Sequence, residues 1–274
     1  MTYRDGANYK RVIDPLSLSV NQSEWVSIVG PSGTGKTTLL KCIAGLVRPT
    51  SGQVWINGKE VLEPPREIAF VFQDYGRSLL PWLRVVSNVA LPLRGKGVGK
   101  DEALAEAADK LRAVGLSDVA RQFPWQLSGG MQQRVAIARA LAYRAKVLLM
   151  DEPFASVDAQ TRMDLEDLVL GLRTEFGLTT LFVTHDIDEA VYVSDRVVVL
   201  VGQPASVNEV VTVDLPYPRD QVATKSSPSF ARLRTRVLEA IRGNRPGSPQ
   251  LSQALGAAEV GNESVACTAT LEDI

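Results

Sequence analysis

One nine-residue stretch constrains the fold of this chain more than any other. Residues 30–38 read GPSGTGKTT and fit the pattern G-x-x-x-x-G-K-[ST], whose fixed positions are Gly30, Gly35, Lys36 and Thr37. The apolar run EWVSIVG precedes the stretch, and the helical pattern GKTTLLKCIAGL follows from its second half. A strand, a glycine-rich turn and a helix in this order place backbone N–H groups and a helix N-terminus around a polyphosphate. The sequence therefore predicts an α/β fold with a phosphate-binding loop.

Four further apolar runs indicate the rest of the sheet. EIAFVFQ, KVLLMDE, TTLFVTH and DRVVVLV are short, β-branched and continuously apolar, which is typical of parallel strands that are buried on both faces. Helical patterns alternate with these runs, except at about 76–146, where the sequence is mostly helical and predicts an inserted helical subdomain. QVWINGKEV predicts an early antiparallel hairpin that turns at Asn57 and Gly58.

The last part of the chain divides into a helix and a tail. A helix is predicted at about 228–242, because Phe230, Leu233, Val237 and Ile241 recur on one helical face. Residues 243–274 are rich in Gly, Ser, Ala and Pro without clear periodicity, so we expect a disordered tail. The prediction is one domain at 1–242 followed by this tail.

Charge and cysteine content exclude several classes. The formal net charge is −1, so no overall positive field attracts nucleic acid. The two cysteines, Cys42 and Cys267, are too few for a disulfide framework and fit a reducing compartment. No apolar run is long enough to span a bilayer. We expect a soluble chain that could still dock on a membrane protein.

Two adjacent carboxylates follow the strand in KVLLMDEP. Asp151, at the end of the strand, can hold Mg²⁺ together with the Thr37 hydroxyl, and Lys36 places a positive charge near the β- and γ-phosphates. Glu152, one residue later, can orient or deprotonate an attacking water. A carboxylate pair after a strand is usually a solvated loop start. Together with the phosphate-binding loop it favours a nucleotide hydrolase over a nucleotide-binding regulator.

The stretch LSGGMQQR offers a second candidate anion site. Ser128, Gly129 and Gly130 stand directly before a helical pattern, so their backbone N–H groups could bind a phosphate. One nucleotide needs only one such helix start, so this site would serve a nucleotide held by another copy of the chain. The alternative is an ordinary helix start that is capped by Ser128, and spacing alone does not choose between the two.

Two more polar residues end predicted strands. Gln73 ends EIAFVFQ and can reach a metal or a water, or it can be an ordinary surface residue. His185, the only histidine of the chain, ends the strand TTLFVT. The carboxyl ends of parallel strands share one sheet edge, where ligands bind, so His185 can contact the γ-phosphate or the attacking water and steady Glu152. The alternative is a histidine with the purely structural role of capping or packing.

The segment after Gln73 is unusually apolar for a connection that leaves a sheet. Leu79, Leu80, Trp82 and Leu83 could form the core of the helical subdomain, which is the usual explanation. They could also form a patch for a partner helix.

In this order, these motifs resemble the ATP-binding subunit of an ABC transporter, over almost the whole chain except the tail. LSGGMQQR resembles the ABC signature, which is more specific than the phosphate-binding loop. The resemblance implies a P-loop NTPase fold of the ABC type, with a mainly parallel core sheet, a small antiparallel β subdomain and an inserted helical subdomain. It implies ATP and Mg²⁺ as cofactors. The implied Walker A loop consists of Gly30, Pro31, Ser32, Gly33, Thr34, Gly35, Lys36, Thr37 and Thr38.

The remaining roles also come from the resemblance. It implies a Q-loop glutamine that senses Mg²⁺ and the partner (Gln73), a Walker B metal ligand and catalytic glutamate (Asp151, Glu152), and a switch histidine (His185). It also implies a signature that contacts ATP of a second copy (Ser128, Gly129, Gly130) and a D-loop aspartate (Asp158). For the aromatic that stacks on adenine, Tyr3 matches best and Tyr9 is the alternative.

FQDYGRSLLPWLRVVSNVALPL, MDEPFASVDAQTR and VDLPYPRD resemble nitrate/sulfonate/taurine-type importers. This implies an ATP-hydrolysing subunit at the cytoplasmic face of the bacterial plasma membrane. A head-to-tail dimer of this chain would bind membrane-spanning permease subunits. A separate solute-binding protein would deliver the solute to that permease. Nucleic acid is not expected as a partner. The alternatives are a soluble ABC ATPase with a non-transport role, the ATPase of an exporter, a P-loop kinase and a non-catalytic adaptor.

The sequence departs from the family pattern at three places: the N-terminus, the D-loop and the C-terminal tail. The family has a strand before the adenine-stacking aromatic, whereas Tyr3 almost opens this chain. We expect either a start codon assigned too late or a weakened first sheet. The D-loop reads Ala155-Ser156-Val157-Asp158 where Ser-Ala-Leu-Asp is common. The tail after residue 242 has no counterpart in the family.

Overall fold

The computed structural model describes residues 1–5, 8–243 and 267–270. Its main sheet has six strands in the order β11-β10-β4-β9-β8-β7, and all are parallel except the edge strand β11. A second sheet has the order β3-β12-β5-β6, and a separate hairpin pairs β1 with β2. The strands are β1 (Thr2–Asp5), β2 (Asn8–Arg11), β3 (Ser17–Val20), β4 (Trp25–Val29), β5 (Gln53–Ile56), β6 (Lys59–Glu60), β7 (Ile68–Val71), β8 (Val147–Asp151), β9 (Thr179–Val183), β10 (Arg196–Val201), β11 (Ser206–Thr212) and β12 (Cys267–Thr270).

Helices cover both faces of the main sheet. Four of them, α2 to α5, lie between β7 and β8 in the segment that was predicted to form the helical subdomain. The helices are α1 (Lys36–Ile43), α2 (Tyr75–Ser78), α3 (Val85–Gly95), α4 (Lys100–Ala113), α5 (Gly129–Ala142), α6 (Ala159–Phe176), α7 (Ile187–Val193) and α8 (Pro228–Arg242).

The alternation of side chains along β4 separates two hydrophobic cores. All five residues of β4 are buried. Trp25 and Val29 pack into a cluster with the helical subdomain, α7 and α8, whereas Val26 and Ile28 pack into a second cluster with α1 and the small sheet. Burial on both faces explains why this strand is apolar at every position except Ser27 rather than alternating.

The small sheet lies on the α1 side of the main sheet. Its strands β5 and β6 are joined by Asn57 and Gly58, whose positive φ angles of 52° and 72° suit a tight two-residue hairpin turn. Strand β12 lies between β3 and β5 and is antiparallel to both. This sheet therefore combines residues from the two ends of the chain.

The five strands expected from the apolar runs are observed as β4, β7, β8, β9 and β10. Helix α8 buries Phe230, Leu233 and Val237 as predicted, while Ile241 is half-buried. The strand β11, the hairpin of β1 and β2, and β12 were not predicted from the sequence. For residues 267–270 the structure differs from the expected disordered tail, since they form β12. The rest of that tail, 244–266 and 271–274, lies outside the described residues.

Within the described residues, no helix combines the length and apolar character that crossing a bilayer requires.

Candidate active site

The strand order brings the predicted site residues to one edge of the main sheet. Strand β9 lies between β4 and β8, and β7 borders β8 on its other side. All four strands run parallel, so the loops that follow them emerge at the same edge. Residue Ile28 of β4 and Asp151 of β8 are both in register with Val183 of β9. The loops that carry Lys36, Glu152 and His185 therefore start side by side.

The loop from Gly30 to Thr38 is tightly wound around the amino group of Lys36. The Lys36 Nζ atom donates hydrogen bonds to the carbonyl oxygens of Gly30 at 2.8 Å and Pro31 at 3.0 Å. Gly33 and Gly35 have positive φ angles of 76° and 92°, which glycine adopts at little cost. These angles turn the backbone so that it encircles the ammonium group.

Close contacts explain two of the loop glycines. A Cβ atom at Gly30 would lie 2.2 Å from the carbonyl oxygen of Leu200 in β10, and one at Gly35 would lie 2.9 Å from Cγ1 of Val12. The backbone contact at Gly30 leaves no room for a side chain. At Gly35 the contact is with a side chain, and the positive φ angle adds a second reason for glycine. The remaining loop residues differ in exposure. Pro31, Ser32 and Gly33 are exposed, Thr34 is buried, and Thr38 is half-buried.

Burial and the neighbouring charges have opposite effects on the pKa of Lys36. Burial lowers the pKa of the Lys36 ammonium, while the neighbouring carboxylates of Glu152 and Asp151 raise it. Burial is the larger of these effects. A phosphate that approached this buried cation would gain a strong partner, because few water molecules screen the pair.

Thr37 and Asp151 form the candidate metal site. The Thr37 hydroxyl donates a hydrogen bond of 2.9 Å to Oδ1 of Asp151. Burial raises the pKa of the Asp151 carboxyl, the Thr37 hydrogen bond lowers it, and the adjacent Glu152 raises it. A hydroxyl and a carboxylate oxygen at this spacing fit Mg²⁺, which prefers oxygen ligands and completes its shell with phosphate oxygens and water.

Two of the predicted catalytic side chains, Gln73 and His185, converge on the carboxylate of the third, Glu152. Oε2 of Glu152 lies 3.3 Å from Nε2 of Gln73 and 3.1 Å from Nδ1 of His185. The backbone of Glu152 has a φ angle of 44°, which is uncommon for a residue with a side chain and recurs at active sites. Its N–H donates to the carbonyl of Val183 at 2.8 Å, which anchors this conformation to β9. The arrangement holds a carboxylate close to Lys36, with an amide and an imidazole beside it.

The residues of the signature and of the D-loop lie together, but apart from this cluster. Ser128 caps α5, because its Oγ accepts a hydrogen bond from the N–H of Met131 at 3.3 Å. Asp158 caps α6 by accepting from the N–H of Thr161 at 3.0 Å and from its hydroxyl at 2.7 Å. These bonds to Thr161 lower the pKa of the Asp158 carboxyl. In the part of the chain that the structure describes, neither cap hydrogen-bonds to the phosphate-binding loop or to Glu152.

The two helix starts touch at Gly130. A Cβ atom at Gly130 would lie 2.3 Å from Cγ2 of Thr161. Gly130 is buried, whereas Ser128, Gly129 and Asp158 are exposed. The N-terminal ends of α5 and α6 therefore lie side by side, and their capping residues are exposed to solvent.

A charge network that follows His185 in the chain and includes the buried Glu189 was missed by sequence reasoning. Oε2 of Glu189 accepts a hydrogen bond of 2.6 Å from the Thr184 hydroxyl, and Oε1 lies 3.4 Å from Nε of Arg162. Arg162 also pairs with Asp186 at 3.1 Å. Arg162 lies in α6, so the network joins the helix of Asp158 to the loop of His185. The pattern THDIDEA contains both acids, but nothing in it indicates that they pair with Arg162, which precedes Asp186 by 24 residues and Glu189 by 27.

The two candidate adenine-stacking tyrosines lie on opposite strands of the N-terminal hairpin. Tyr3 is in β1 and is in register with Lys10, and Tyr9 is in β2 and is in register with Arg4. The hairpin leads into Val12, whose side chain packs against Gly35. The backbone thus brings the hairpin to the phosphate-binding loop, and the choice between the tyrosines stays a prediction.

The apolar segment after Gln73 combines both of the alternatives considered for it. Leu79 is 1% exposed and belongs to the core of the helical subdomain. Trp82, by contrast, is 70% exposed, and Phe72 is 40% exposed. Leu80 and Leu83 are half-buried. One side of this segment therefore packs inside, and the other presents aromatic surface.

Comparison with known proteins identifies the family. The family profile described as "ABC transporter" matches residues 13–155, which is more than half of the chain. This chain belongs to the ABC transporter family. The implied fold is confirmed, since the solved ATP-binding cassette MJ0796, in a dimeric post-hydrolysis state with ADP and Pi, has a TM-score of 0.69 and 34% identity over 78% of this chain and 96% of that one. A second dimeric structure of MJ0796 gives a TM-score of 0.70 with the same identity and coverage.

Curated sequences give closer matches. An uncharacterised ABC transporter ATP-binding protein of Methanocaldococcus jannaschii is 46% identical over 86% of this chain and 86% of its own length. The nitrate import ATP-binding protein NrtC of Synechocystis is 42% identical over 92% of this chain and 38% of NrtC. The bicarbonate transport ATP-binding protein CmpC of Synechococcus elongatus is 42% identical over 85% of this chain and 35% of CmpC. The chain is an ATPase of this family and uses ATP with Mg²⁺.

Proposed function

We propose that this chain is the ATP-hydrolysing subunit of an importer for a nitrate-, sulfonate- or taurine-like anion. It would lie at the cytoplasmic face of the bacterial plasma membrane, bound to a separate permease that receives solute from a binding protein. The relatives named for nitrate import and bicarbonate transport support import of a small anion. The solute itself contacts other subunits, so this chain supplies the energy and not the selectivity.

The observation that carries the ATPase mechanism is the convergence of Gln73 and His185 on one oxygen of Glu152. Glu152 would orient a water for attack on the γ-phosphate and accept its proton. His185 would hold Glu152 in place and contact the γ-phosphate, and Gln73 would sense whether the site is filled. Lys36 would bind the β- and γ-phosphates, while Thr37 and Asp151 would hold Mg²⁺, which neutralises phosphate charge when bound. Catalysis then depends on positioning and charge more than on covalent chemistry.

A second copy of the chain would complete this pocket. The caps at Ser128 and Asp158 are exposed, and within the described residues they hydrogen-bond to their own helices and not to the phosphate-binding loop. Two helix N-termini that expose their first residues suit an anion brought by a partner. MJ0796 is dimeric in both solved structures. We infer a head-to-tail dimer in which ATP of one copy lies between Lys36 of that copy and Ser128, Gly129 and Gly130 of the other.

The exposed side of the segment after Gln73 would contact the permease. Trp82 and Phe72 expose aromatic surface there, and such patches mark interaction sites. The polypeptide connects them directly to Gln73, which contacts Glu152. A change at the nucleotide would therefore reach the permease over a short path. This contact rests on a family resemblance together with the exposure of these side chains.

The test of the ATPase assignment is Glu152→Gln, with Glu60→Gln as the matched control. Glu60 lies in β6, is exposed and is remote from the site. The Glu152 variant keeps the shape of the side chain but loses the base, so we expect ATP turnover to fall by at least ~100-fold while ATP binding persists. Gel filtration with ATP should show this variant as a stable dimer. Normal turnover would refute the role of Glu152, and a monomer saturated with ATP would refute the composite pocket.

Import is tested separately from hydrolysis. The chain, its permease and the binding protein are reconstituted in liposomes, and uptake of labelled nitrate or taurine is measured with ATP supplied on the side of this chain. Uptake that requires the binding protein supports the importer. Efflux, or ATPase activity that no permease alters, would favour the exporter or the soluble ATPase instead.

A further inference from the structure

The imidazole of His185 depends on its own backbone for its position. The side chain is 58% exposed, and its Nδ1 atom lies 3.1 Å from Oε2 of Glu152. An exposed side chain changes rotamer on a very short timescale unless something restrains it. A ring that must stay beside one carboxylate oxygen therefore needs a backbone that points it there.

The residue before His185 is firmly held. Thr184 directly follows β9 and is buried, and its N–H donates to the carbonyl of Ile28 in β4 at 3.2 Å. Its hydroxyl accepts a hydrogen bond of 3.0 Å from the N–H of Asp186 and donates one of 2.6 Å to Oε2 of Glu189. The Thr184 hydroxyl thus links the backbone on the far side of His185 to a buried carboxylate in α7.

The residue after His185 is held by the same network. Oδ1 of Asp186 caps α7 by accepting from the N–H groups of Asp188 at 2.8 Å and Glu189 at 3.2 Å. Its other oxygen, Oδ2, lies 3.1 Å from Nη1 of Arg162. His185 is therefore flanked on both sides by residues whose side chains are fixed by hydrogen bonds.

One guanidinium joins the two acids. Arg162 contacts Asp186 through Nη1 and Oε1 of Glu189 through Nε, at 3.1 Å and 3.4 Å. A planar guanidinium presents its donors in a rigid fork, so it fixes the spacing of two carboxylates that it contacts together. The N–H of Arg162 donates to the carbonyl of Asp158 at 2.9 Å, which places this side chain in the first turn of α6. The His185 loop is thus tied to a helix outside its own part of the chain.

Stability alone does not account for a carboxylate at position 189. Glu189 is buried, and burial raises its pKa to about 7, against the hydrogen bond from Thr184. Replacing a buried ion pair by apolar residues of similar volume is often neutral or stabilising. A connected buried network does, however, rigidify the groups that it joins. What this network rigidifies is the backbone on either side of His185.

We propose that Arg162, Glu189 and the Thr184 hydroxyl position the His185 imidazole on Glu152. They fix the residues before and after His185, and with them the direction in which its side chain leaves the backbone. They act through His185 and are positioning residues. The consequence for catalysis rests on the role of His185 in the proposed function, whereas the placement of the ring does not.

The placement can be measured directly, because His185 is the only histidine of the chain. Protein that is isotope-labelled at the imidazole Cε1 and carries no histidine tag gives a single imidazole signal in a proton–carbon NMR spectrum. Glu152→Ala defines the signal of a ring without its partner. Thr184→Val removes the hydroxyl and keeps the shape of the side chain. The matched control is Thr180→Val, in the same strand, whose buried hydroxyl has no hydrogen-bond partner among the described residues.

We expect the imidazole signal of Thr184→Val to move from the wild-type position toward that of Glu152→Ala. Thr184→Ser keeps the hydroxyl and should restore the wild-type signal, and Thr180→Val should leave the signal in place. A wild-type signal in Thr184→Val would overturn the proposal. An equal displacement in Thr180→Val would also overturn it, because the hydrogen bond to Glu189 would then not be the cause.

A second variant keeps the test decisive if Thr184→Val does not fold. Arg162→Met removes the link between the two acids from a side chain that is partly exposed. Its control is Arg112→Met, which removes an exposed arginine paired with Asp109 in α4. We expect Arg162→Met to displace the imidazole signal and Arg112→Met to leave it unchanged. A wild-type signal in Arg162→Met would overturn the proposal.

ATP turnover separates the placement of the ring from its catalytic role. We expect Thr184→Val to lower kcat at least about tenfold, as a misplaced catalytic group does, and to leave KM for ATP unchanged. In a His185→Ala background Thr184→Val should lower kcat no further, because its effect passes through the imidazole. Additive losses, or wild-type turnover of Thr184→Val beside a slow His185→Ala, would overturn the proposal. Wild-type turnover of His185→Ala would instead refute its role in the proposed function, and the imidazole signal would still decide the placement.

Discussion

Gly130→Ala gives a specific prediction, because the new methyl group would clash with one side-chain atom, Cγ2 of Thr161. The added Cβ would lie 2.3 Å from Cγ2 of Thr161. Carbon atoms that are not bonded to each other settle at about 3.5–4.0 Å, so the ends of α5 and α6 would have to separate by roughly 1 Å or more. Overpacking of this kind costs about 1–3 kcal/mol. Alanine returns up to about 1 kcal/mol as helix propensity. Subtracting this from the middle of the overpacking range, about 2 kcal/mol, leaves a net loss of about 1–2 kcal/mol in the free energy of unfolding.

The same contact provides a rescue. Thr161→Ser removes Cγ2 and keeps the hydroxyl that bonds to Asp158 at 2.7 Å. The next atoms of residue 161, Cβ at 3.6 Å and Oγ1 at 3.8 Å, are at ordinary contact distance from the added methyl group. The double variant should therefore regain the 1–2 kcal/mol that the single variant loses, as a favourable coupling energy of about that size in a double-mutant cycle.

A matched glycine in the neighbouring helix controls for helix propensity. Gly171 lies in α6, and a Cβ atom there would meet nothing within 4 Å. Gly171→Ala should therefore leave the chain at least as stable as the wild type, with a gain of up to about 1 kcal/mol.

Urea unfolding of the nucleotide-free chain, monitored by tryptophan fluorescence, measures these differences in the free energy of unfolding. Steady-state ATPase rates are measured on the same variants. The displaced helix ends carry Ser128 and Asp158, so the turnover of Gly130→Ala should fall at least tenfold and recover in the double variant. Wild-type stability of Gly130→Ala, or failure of Thr161→Ser to restore it, would refute the reasoning.

Three further substitutions test the site. His185→Ala should lower turnover at least tenfold because Glu152 loses its imidazole partner; steady-state rates equal to wild type would return the histidine to a capping role. Lys36→Ala should abolish measurable ATP binding in calorimetry, since the loop loses its buried cation; unchanged affinity would argue against a phosphate site. Glu189→Gln should flatten the pH dependence of stability. Burial raises the pKa of Glu189 from 4.5 to about 7, against the opposing hydrogen bond from Thr184. The native state thus binds more protons than the unfolded state between these values, and wild-type stability falls by up to about 3 kcal/mol as the pH rises from 4.5 to 7. Urea midpoints at several pH values should show the variant gaining on the wild type across this window, and parallel curves would contradict the assignment.

Much of the fold could be predicted because its signals are local. Continuous apolar runs identified the buried strands β4, β7, β8, β9 and β10, and Asn57 with Gly58 identified a hairpin turn. The convergence at the site could also be predicted, because parallel strands bring their carboxyl ends to one edge. That rule placed Gln73, Glu152 and His185 together before any distance was known, and the hydrogen bonds agree with it.

The features that were missed depend on partners far away in the sequence. Strand β12 has four residues in a region of small residues, and its pairing with Ser17–Val20 crosses almost the entire chain. The pair of Arg162 and Glu189 depends on the packing of α6 against α7. Trp82 and Leu79 look alike as apolar residues, and only the three-dimensional packing separates the exposed one from the buried one. No periodicity encodes such relations.

The two hydrogen bonds that the Lys36 amino group donates to backbone carbonyl oxygens have a consequence for nucleotide binding. The loop already has its curved form, with the cation seated among the carbonyls of Gly30 and Pro31. When a triphosphate binds, its oxygens can replace the carbonyl oxygens of Gly30 and Pro31 as acceptors for the Lys36 amino group, without a new loop conformation. Nucleotide binding should therefore be fast and should leave the loop of residues 30–38 almost unchanged. The slower conformational changes should then occur when two protomers associate.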